Sequence, residues 1–459
     1  MVFEKRKLYQ HRKSVFGGVA GHRARDPPDP IPNSEVKPRS VFGVSVVFGH
    51  VKPRKLAAPL YVLHSKVEEK YSKFITLCIC ILRRVKGLMM IPQVSQWGGD
   101  PISLVFQMMF TIIFVVFIFY GQRIQMYVML REVEGSLLRL KYMRDEGRKA
   151  AIQTIKELGR PATDPAGRVD QFLEYITIPP EAMDPAGIVW KLEHILDVQD
   201  TRFKDEVKLM APSADPTQIN NLENTLEAAW ALNMIYKIIR HYYMLGKKTL
   251  SLYIIMQIQM ILPLVMREAE AFASALKAFS CGQPIGDGAG QLVAAKMMYG
   301  HEKRKVEKDY LVATINIEGR TVHVLKAEGP GGNVGKPGEA IKQIVEENEG
   351  KIATMIIIDA AQKLEGENPG DVAEGVGVAI GGPGVDQFKV EEELVKYKIP
   401  VNAVVIKEDI GDAVSPMRKE VFDAVDPAIE RVKRVILEKT KEGDAVIVAG
   451  IGNTIGIGQ

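Results

Sequence analysis

Cysteine is nearly missing from this chain of 459 residues, with only Cys78, Cys80 and Cys281 present. So few exclude a disulfide framework and suit a reducing compartment. Cys78 and Cys80 form a C-x-C inside an apolar run, which reads as two small core residues in preference to a metal site. Histidine is scarce as well, and His194 and His241 have no His or Cys neighbour at ligand spacing, so a zinc motif is absent. Neither a Ser-His-Asp nor a Cys-His set is recognisable. A Walker A loop is also missing: in "EGPGGNVGKPGEA" (328–340) Pro330 stands where the first glycine is required, and Pro337 follows Lys336 where Ser or Thr is required. Pro337 instead suits the first position of a helix.

Acidic residues are sparse at the start of the chain. Residues 1–90 hold 18 Lys/Arg and 6 Asp/Glu, which leaves 42 and 50 for residues 91–459. The main body is therefore acidic although the whole chain is +4. It offers no electrostatic footprint for a phosphate backbone, and no nucleic-acid partner is expected. Residues 1–89 combine basic clusters with "RDPPDPIPN" and hold no periodicity. Arg83 to Gly87 can be encoded by a purine-rich ribosome-binding sequence just ahead of Met89 and Met90. The natural chain is therefore expected to begin at one of these methionines, with a disordered basic tail as the alternative.

What is present is one long apolar run. Residues 102–121, "ISLVFQMMFTIIFVVFIFYG", carry no charge over twenty positions. At about 1.5 Å per residue a helix of that length matches a hydrocarbon core of roughly 30 Å. Trp97 and Tyr120 fall near the two interfaces. Arg123, Arg131, Arg139, Lys141, Arg144, Arg148 and Lys149 follow the run, and residues 91–101 hold no Lys or Arg. The positive-inside rule places the C-terminal side in the cytoplasm. A second run, residues 250–266, contains Gln257, Gln259 and Pro263 and is expected to be a core or membrane-apposed helix in preference to a second crossing.

Residues 122–279 are rich in Ala, Leu, Met, Glu and Lys. Breaks at "GRPATDPAG", "IPPEAMDPAG" and "APSADPTQ" read as helix ends followed by capped starts. Leu130, Val133, Leu137 and Leu140 make a short seam, which fits a helix packed on its own domain, with a homo-oligomer through the seam as the alternative. Trp190, Trp230, Tyr242 and Tyr243 read as core.

After residue 300 the periodicity changes. "DYLVATINIEGRTVHVLKAEG" predicts a hairpin turning at Glu318-Gly319, followed by a helix over 339–347 and the strand "KIATMIIIDA". A helix over 389–398, the strand "PVNAVVIKE", a long helix over 414–439 and the strand "AVIVAGIG" complete an α/β region. Glycine clusters at 284–290, 328–340, 380–384 and 450–458 fall where such sheets place ligands. Gly286, Asp287, Gly288, Gly290, Gly381 and Gly382 are the candidate ligand-binding residues. A helix beginning near Gly290 would direct a positive dipole end at the loop, whereas Asp287 repels anions. Asp287 is read first as a helix cap, and otherwise as a metal ligand with Asp359, Glu365 and Glu367. A divalent metal is the only cofactor considered. The acidic loop that includes Asp371 and Glu374 has a simpler reading as a solvated charged surface, with Asp359 as a cap.

The stretch "IDAAQKLEGENPGDVAEGVGVAIGGPGVDQFKVEE" (358–392), "PIGDGAGQLVA" and the apolar helix together resemble an uncharacterised archaeal single-pass membrane-protein family, a domain-of-unknown-function group. The resemblance covers roughly residues 90–459, implies a membrane location and supplies no activity. Gly452-Asn453 and Asp287-Gly288-Ala289-Gly290 are faintly similar to the hydrogenase-maturation and germination peptidases. The Gly-Asn turn comes last in this chain, and His323 lies inside a predicted strand, so the similarity is one of fold.

The expected organisation is a leader (1–89), a short segment with one transmembrane helix (90–121, helix 102–121), an α-helical region (122–279) and a C-terminal α/β domain with a largely parallel sheet (280–459). The expected function is that of a membrane-anchored protein whose cytoplasmic α/β domain binds a small anionic ligand or a divalent metal. The alternative is a membrane-tethered scaffold or regulatory subunit without catalysis.

Overall fold

Proline, glycine and capping side chains set the ends of most elements. The computed structural model describes residues 101–180 and 187–459. The leader, the C-x-C pair and Trp97 lie outside them, and the described residues part into two units at Tyr120 and Gly121. One helix, α1 (Pro101–Gly159), contains the whole apolar run and continues into the body. By length and composition α5 (Leu252–Cys281) is apolar enough to cross a membrane, at a mean hydropathy of 1.3. α1 passes the same test only when its two segments, Val105–Val115 and Tyr120–Gly159, count together as one broken span.

Four further helices complete the helical layer: α2 (Ala166–Leu173), α3 (Ile188–Met210), α4 (Pro216–Thr249) and α5. Asp215 caps α4 in a reciprocal box with Gln218: the Gln218 N–H donates to Asp215 Oδ1 at 2.9 Å, and the Asp215 N–H to Gln218 Oε1 at 3.0 Å. Leu250 adopts a left-handed conformation and Ser251 caps the start of α5, so α4 and α5 form a hairpin. Gly246 lets them close up, because a side chain there would collide with Ile255. Val133 and Leu140 of the seam are fully buried in the chain's own helical core, with Leu130 and Leu137 packed against it.

A buried 3₁₀ turn (Gly286–Gly288) leads into α6 (Ala289–Met298) and the sheet region. Strands β1 (Lys303–Glu307), β2 (Tyr310–Ile317), β3 (Arg320–Ala327), β4 (Thr354–Gln362), β5 (Val372–Val376), β6 (Val401–Glu408) and β7 (Ala445–Gly450) are ordered β1-β2-β3-β7-β4-β6-β5. The central strands β3, β7, β4 and β6 are parallel, and antiparallel strands close both edges, so the sheet is mixed. In β4, Ile356 and Ile358 face a core shared with α6 and α10 (Val425–Lys439). Met355 and Ile357 face the other core, shared with α7 (Pro337–Glu347) and α8 (Val385–Tyr397). Burial on both faces is why this strand reads as an uninterrupted apolar run. The expected long helix over 414–439 is two, α9 (Lys419–Asp423) and α10, divided at Ala424. Pro427 accounts for the division, since its ring and missing N–H prevent one helix from running through.

Candidate functional site

The glycine loop of 284–290 is filled by the chain's own backbone. The Gly286 N–H donates to Ser415 O and the Asp287 N–H to Ala413 O at 2.9 Å, so neither amide faces a ligand. A side chain at Gly290 would collide with Ile358 O, and one at Gly452 with Asp287 O. These glycines let α6 seat directly on the carboxyl ends of β4 and β7. That contact also brings together Gly452 and Asp287, the two pieces of the peptidase-like pattern. The expected Asp287 cap does not form: neither the 3₁₀ turn nor α6 has a side-chain cap, and Asp287 Oδ2 is buried without a hydrogen bond.

The four residues of the expected metal set do not form one metal-holding group among the described residues. Asp359 is buried at the end of β4 and its Oδ1 accepts the next N–H, from Ala360. Glu365 is exposed. Glu367 pairs with Lys407, which together with the Leu364 N–H holds its carboxyl below the ordinary range. Glu374 pairs with Arg431 and Arg434, and Asp371 accepts the Asn368 N–H. No group of three or more His, Cys, Asp or Glu able to hold a metal occurs among the described residues. Gly381 and Gly382 lie in a separate turn leading to α8, with Gly382 at φ +105. Trp230 is buried and donates to Tyr175 O. Trp190, by contrast, is half exposed and stands edge-on to Phe388.

An open site lies elsewhere, between the helical layer and the sheet. A cleft of about 290 Å³ is bounded by α3, α4, the turn at Lys308-Asp309, the loop after β3 and Asn453 after β7. It stands outside the carboxyl ends of β3 and β7, the position at which open α/β sheets bind ligands. Its floor is a bonded amide chain. Asn453 Nδ2 donates to Asn224 Oδ1 at 3.1 Å, Asn224 Nδ2 donates to Gly332 O at 2.8 Å, and the Gly332 N–H donates to Asn221 Oδ1 at 2.9 Å. Asn333 Oδ1 accepts the Gly335 N–H and so shapes the loop, while the Thr454 hydroxyl accepts the Asn333 N–H. On the helical wall Lys336 pairs with Asp197 at 2.8 Å, and Lys204 stands 3.9 Å from Asp309.

Glu223 gives the cleft its chemistry. It shares a face of α4 with Glu227 at i+4, and burial, then the Glu227 and Asp200 charges, push its carboxyl up to about 8 against the opposing pull of Lys204 and Lys208. Near neutral pH it is therefore a protonated acid beside carboxylates. Such a group can donate a hydrogen bond to a ligand oxygen or deliver a proton, and a titratable group perturbed in this way inside a cleft marks a candidate site.

Sequence reasoning gave this site none of its weight. The available signal was "QINNLENT" at the start of α4: three asparagines, which favour caps over helix interiors, stand with a glutamate ahead of an Ala/Leu-rich stretch of the same helix.

No curated protein and no solved structure matches the chain. Two family models do. The one described as the protein of unknown function (DUF1512) N-terminal domain matches residues 107–282, and the one described as the domain of unknown function (DUF1512) C-terminal matches residues 285–458. They meet where α5 gives way to the 3₁₀ turn. With both domains present in order, the chain belongs to the DUF1512 family.

Proposed function

We propose that this is a membrane-anchored protein whose body binds a small polar molecule in the cleft between its helical layer and its sheet. The observation that carries this reading is Glu223, a largely buried acid held neutral in an open cleft. The lining mixes carboxylates with Lys204, Lys308 and Lys336, a balance that suits a neutral or zwitterionic ligand better than the anion or metal expected from the glycine loop. Glu223 as proton donor with Glu227 as acceptor also suits proton transfer on the bound molecule. The apolar run of α1 supports the anchor, and the excess of Lys and Arg after it supports a cytoplasmic body.

The test is a melting-temperature screen of the full chain in detergent against sugars, nucleosides and amino acids. One class is expected to raise the wild-type midpoint, and Glu227→Gln to abolish that rise without lowering the unliganded midpoint by a similar amount. If no class shifts the wild type, the ligand-binding reading fails. A tethered scaffold, supported by the backbone-filled glycine loop, then becomes the better account.

A further inference from the structure

The apolar surface of the α4–α5 hairpin is concentrated at one end of the body. Leu250 is 64% exposed and Tyr253 68%, and Met244, Met256, Met260 and Leu264 are exposed beside them. Neighbouring exposed apolar side chains of this kind mark an interaction or membrane site.

Helix pairing locates the patch. Gln259 donates to Glu132 and Arg139 pairs with Glu270, so α5 runs parallel to α1. Arg144 lies over the Tyr236 ring and Gly147 packs against Leu232, so α4 runs antiparallel to both. Carrying that register forward sets the hairpin tip beside residues 125–131 of α1. Tyr127 and Val128 are exposed at that level. The tip is thus within about 15 Å, at 1.5 Å per residue, of Gly121, where the chain enters the body from its uncharged apolar run.

Charge narrows the choice of partner. From Ala228 to Arg267 the chain contains no Asp or Glu, whereas Lys237, Arg240, Lys247, Lys248 and Arg267 are present, and α1 has Arg123 but no acidic residue before Glu132. Lys247 and Lys248 are exposed next to Leu250. Apolar and aromatic side chains flanked by Lys247 and Lys248, with the Gln259-bonded Glu132 as the carboxylate at their edge, are the composition of a surface that enters a headgroup layer and attracts anionic lipid. We infer that the tip of the α4–α5 hairpin docks into the anionic face of the bilayer that holds the apolar run of α1, so that the body stands on the membrane at two points. The inference rests on the anchor reading above. It assigns α5 to the interface with one face against α1 and α4, in agreement with Ile255, Ile258 and Leu262 being buried and Tyr253 and Met260 exposed.

The test uses the full chain with Cys78, Cys80 and Cys281 replaced by Ser, reconstituted in vesicles of equal parts phosphatidylcholine and phosphatidylglycerol. An environment-sensitive dye is placed at Leu250→Cys, Tyr253→Cys or Leu209→Cys. Leu209 is exposed near the Gly159 end of α1, about 57 Å along that helix from Gly121, and serves as the control. At 250 and 253 the emission is expected to shift blue and to be quenched by lipids carrying a shallow nitroxide, and at 209 to do neither. Vesicles of phosphatidylcholine alone are expected to weaken the quenching, and unchanged quenching there would overturn the anionic preference. A chain that floats with the vesicles while its probes at 250 and 253 report water overturns the docking and leaves the anchor standing. A chain that does not float overturns both. A blue shift without lipid quenching means that protein, such as a second copy of this chain, covers the patch, and this too overturns the proposal.

Discussion

Glu223 and Lys326 carry opposite consequences of burial at the scale of single residues. The Glu223 carboxyl is pushed up to about 8, so between its ordinary value of 4.5 and about 8 the folded chain keeps a proton that the unfolded chain has released. Stability therefore falls as pH rises through that window, by up to about 1.4 kcal/mol per pH unit from this group. Glu223→Gln keeps the neutral shape and is expected to flatten the slope, as denaturant midpoints between pH 5.5 and 8.5 will reveal. Lys326 on β3 is fully buried, its ammonium donating to Ala327 O at 2.7 Å, and burial lowers it to about 8 despite the nearby Glu328. Here the folded chain binds fewer protons than the unfolded one between about 8 and 10.5, so this group adds stability as pH rises through that window. Lys326→Met removes that rise and, by replacing a costly buried charge with an apolar side chain of similar length, is expected to raise the melting temperature at pH 7.

At the scale of elements, the caps and turns should behave as their local chemistry dictates. Asp215→Ala removes a reciprocal capping box and is expected to cost about 0.5–2 kcal/mol, with Asp215→Asn close to wild type, both readable from urea midpoints. That start was legible in "SADPTQ" because the signal lies within four residues. The hairpin turn at Glu318-Gly319 was legible for the same reason, since both residues take positive φ, at 45° and 80°. What was missed depended on distant partners. The strand β1, "KRKVE", is a charged edge strand that only its pairing with β2 defines, and β5 is an exposed edge strand that contains Gly375. The glycines of 284–290 marked close approach correctly in kind, but what approaches is backbone from β4, β7 and the 413–415 loop, which no local pattern names. The cleft lay furthest from view: the Asn453–Asn224 bond joins residues 229 apart in sequence.

At the scale of the whole molecule, the amide chain beneath the cleft constrains topology as well as binding. Asn221 and Asn224 lie on α4, before α5, whereas Gly332 and Asn453 lie after it, and the hydrogen bonds among them require both parts to share one aqueous compartment. If α5 crossed the bilayer, the two would be separated and these hydrogen bonds could not form. The Lys336–Asp197 and Lys389–Glu193 pairs, which also join the sheet region to α3, would be lost with them. The apolar length of α5 alone therefore makes a poor argument for a second span. For the anchor proposed above, with the Lys and Arg excess after residue 121 read by the positive-inside rule, reporter fusions after residue 160 and at the C-terminus are both expected to read as cytoplasmic. A C-terminal fusion on the opposite side from the one at 160 would mean that α5 crosses and that the bonds beneath the cleft do not form. Two fusions that agree with each other but read as external would keep the cleft intact and reverse only the orientation of the anchor.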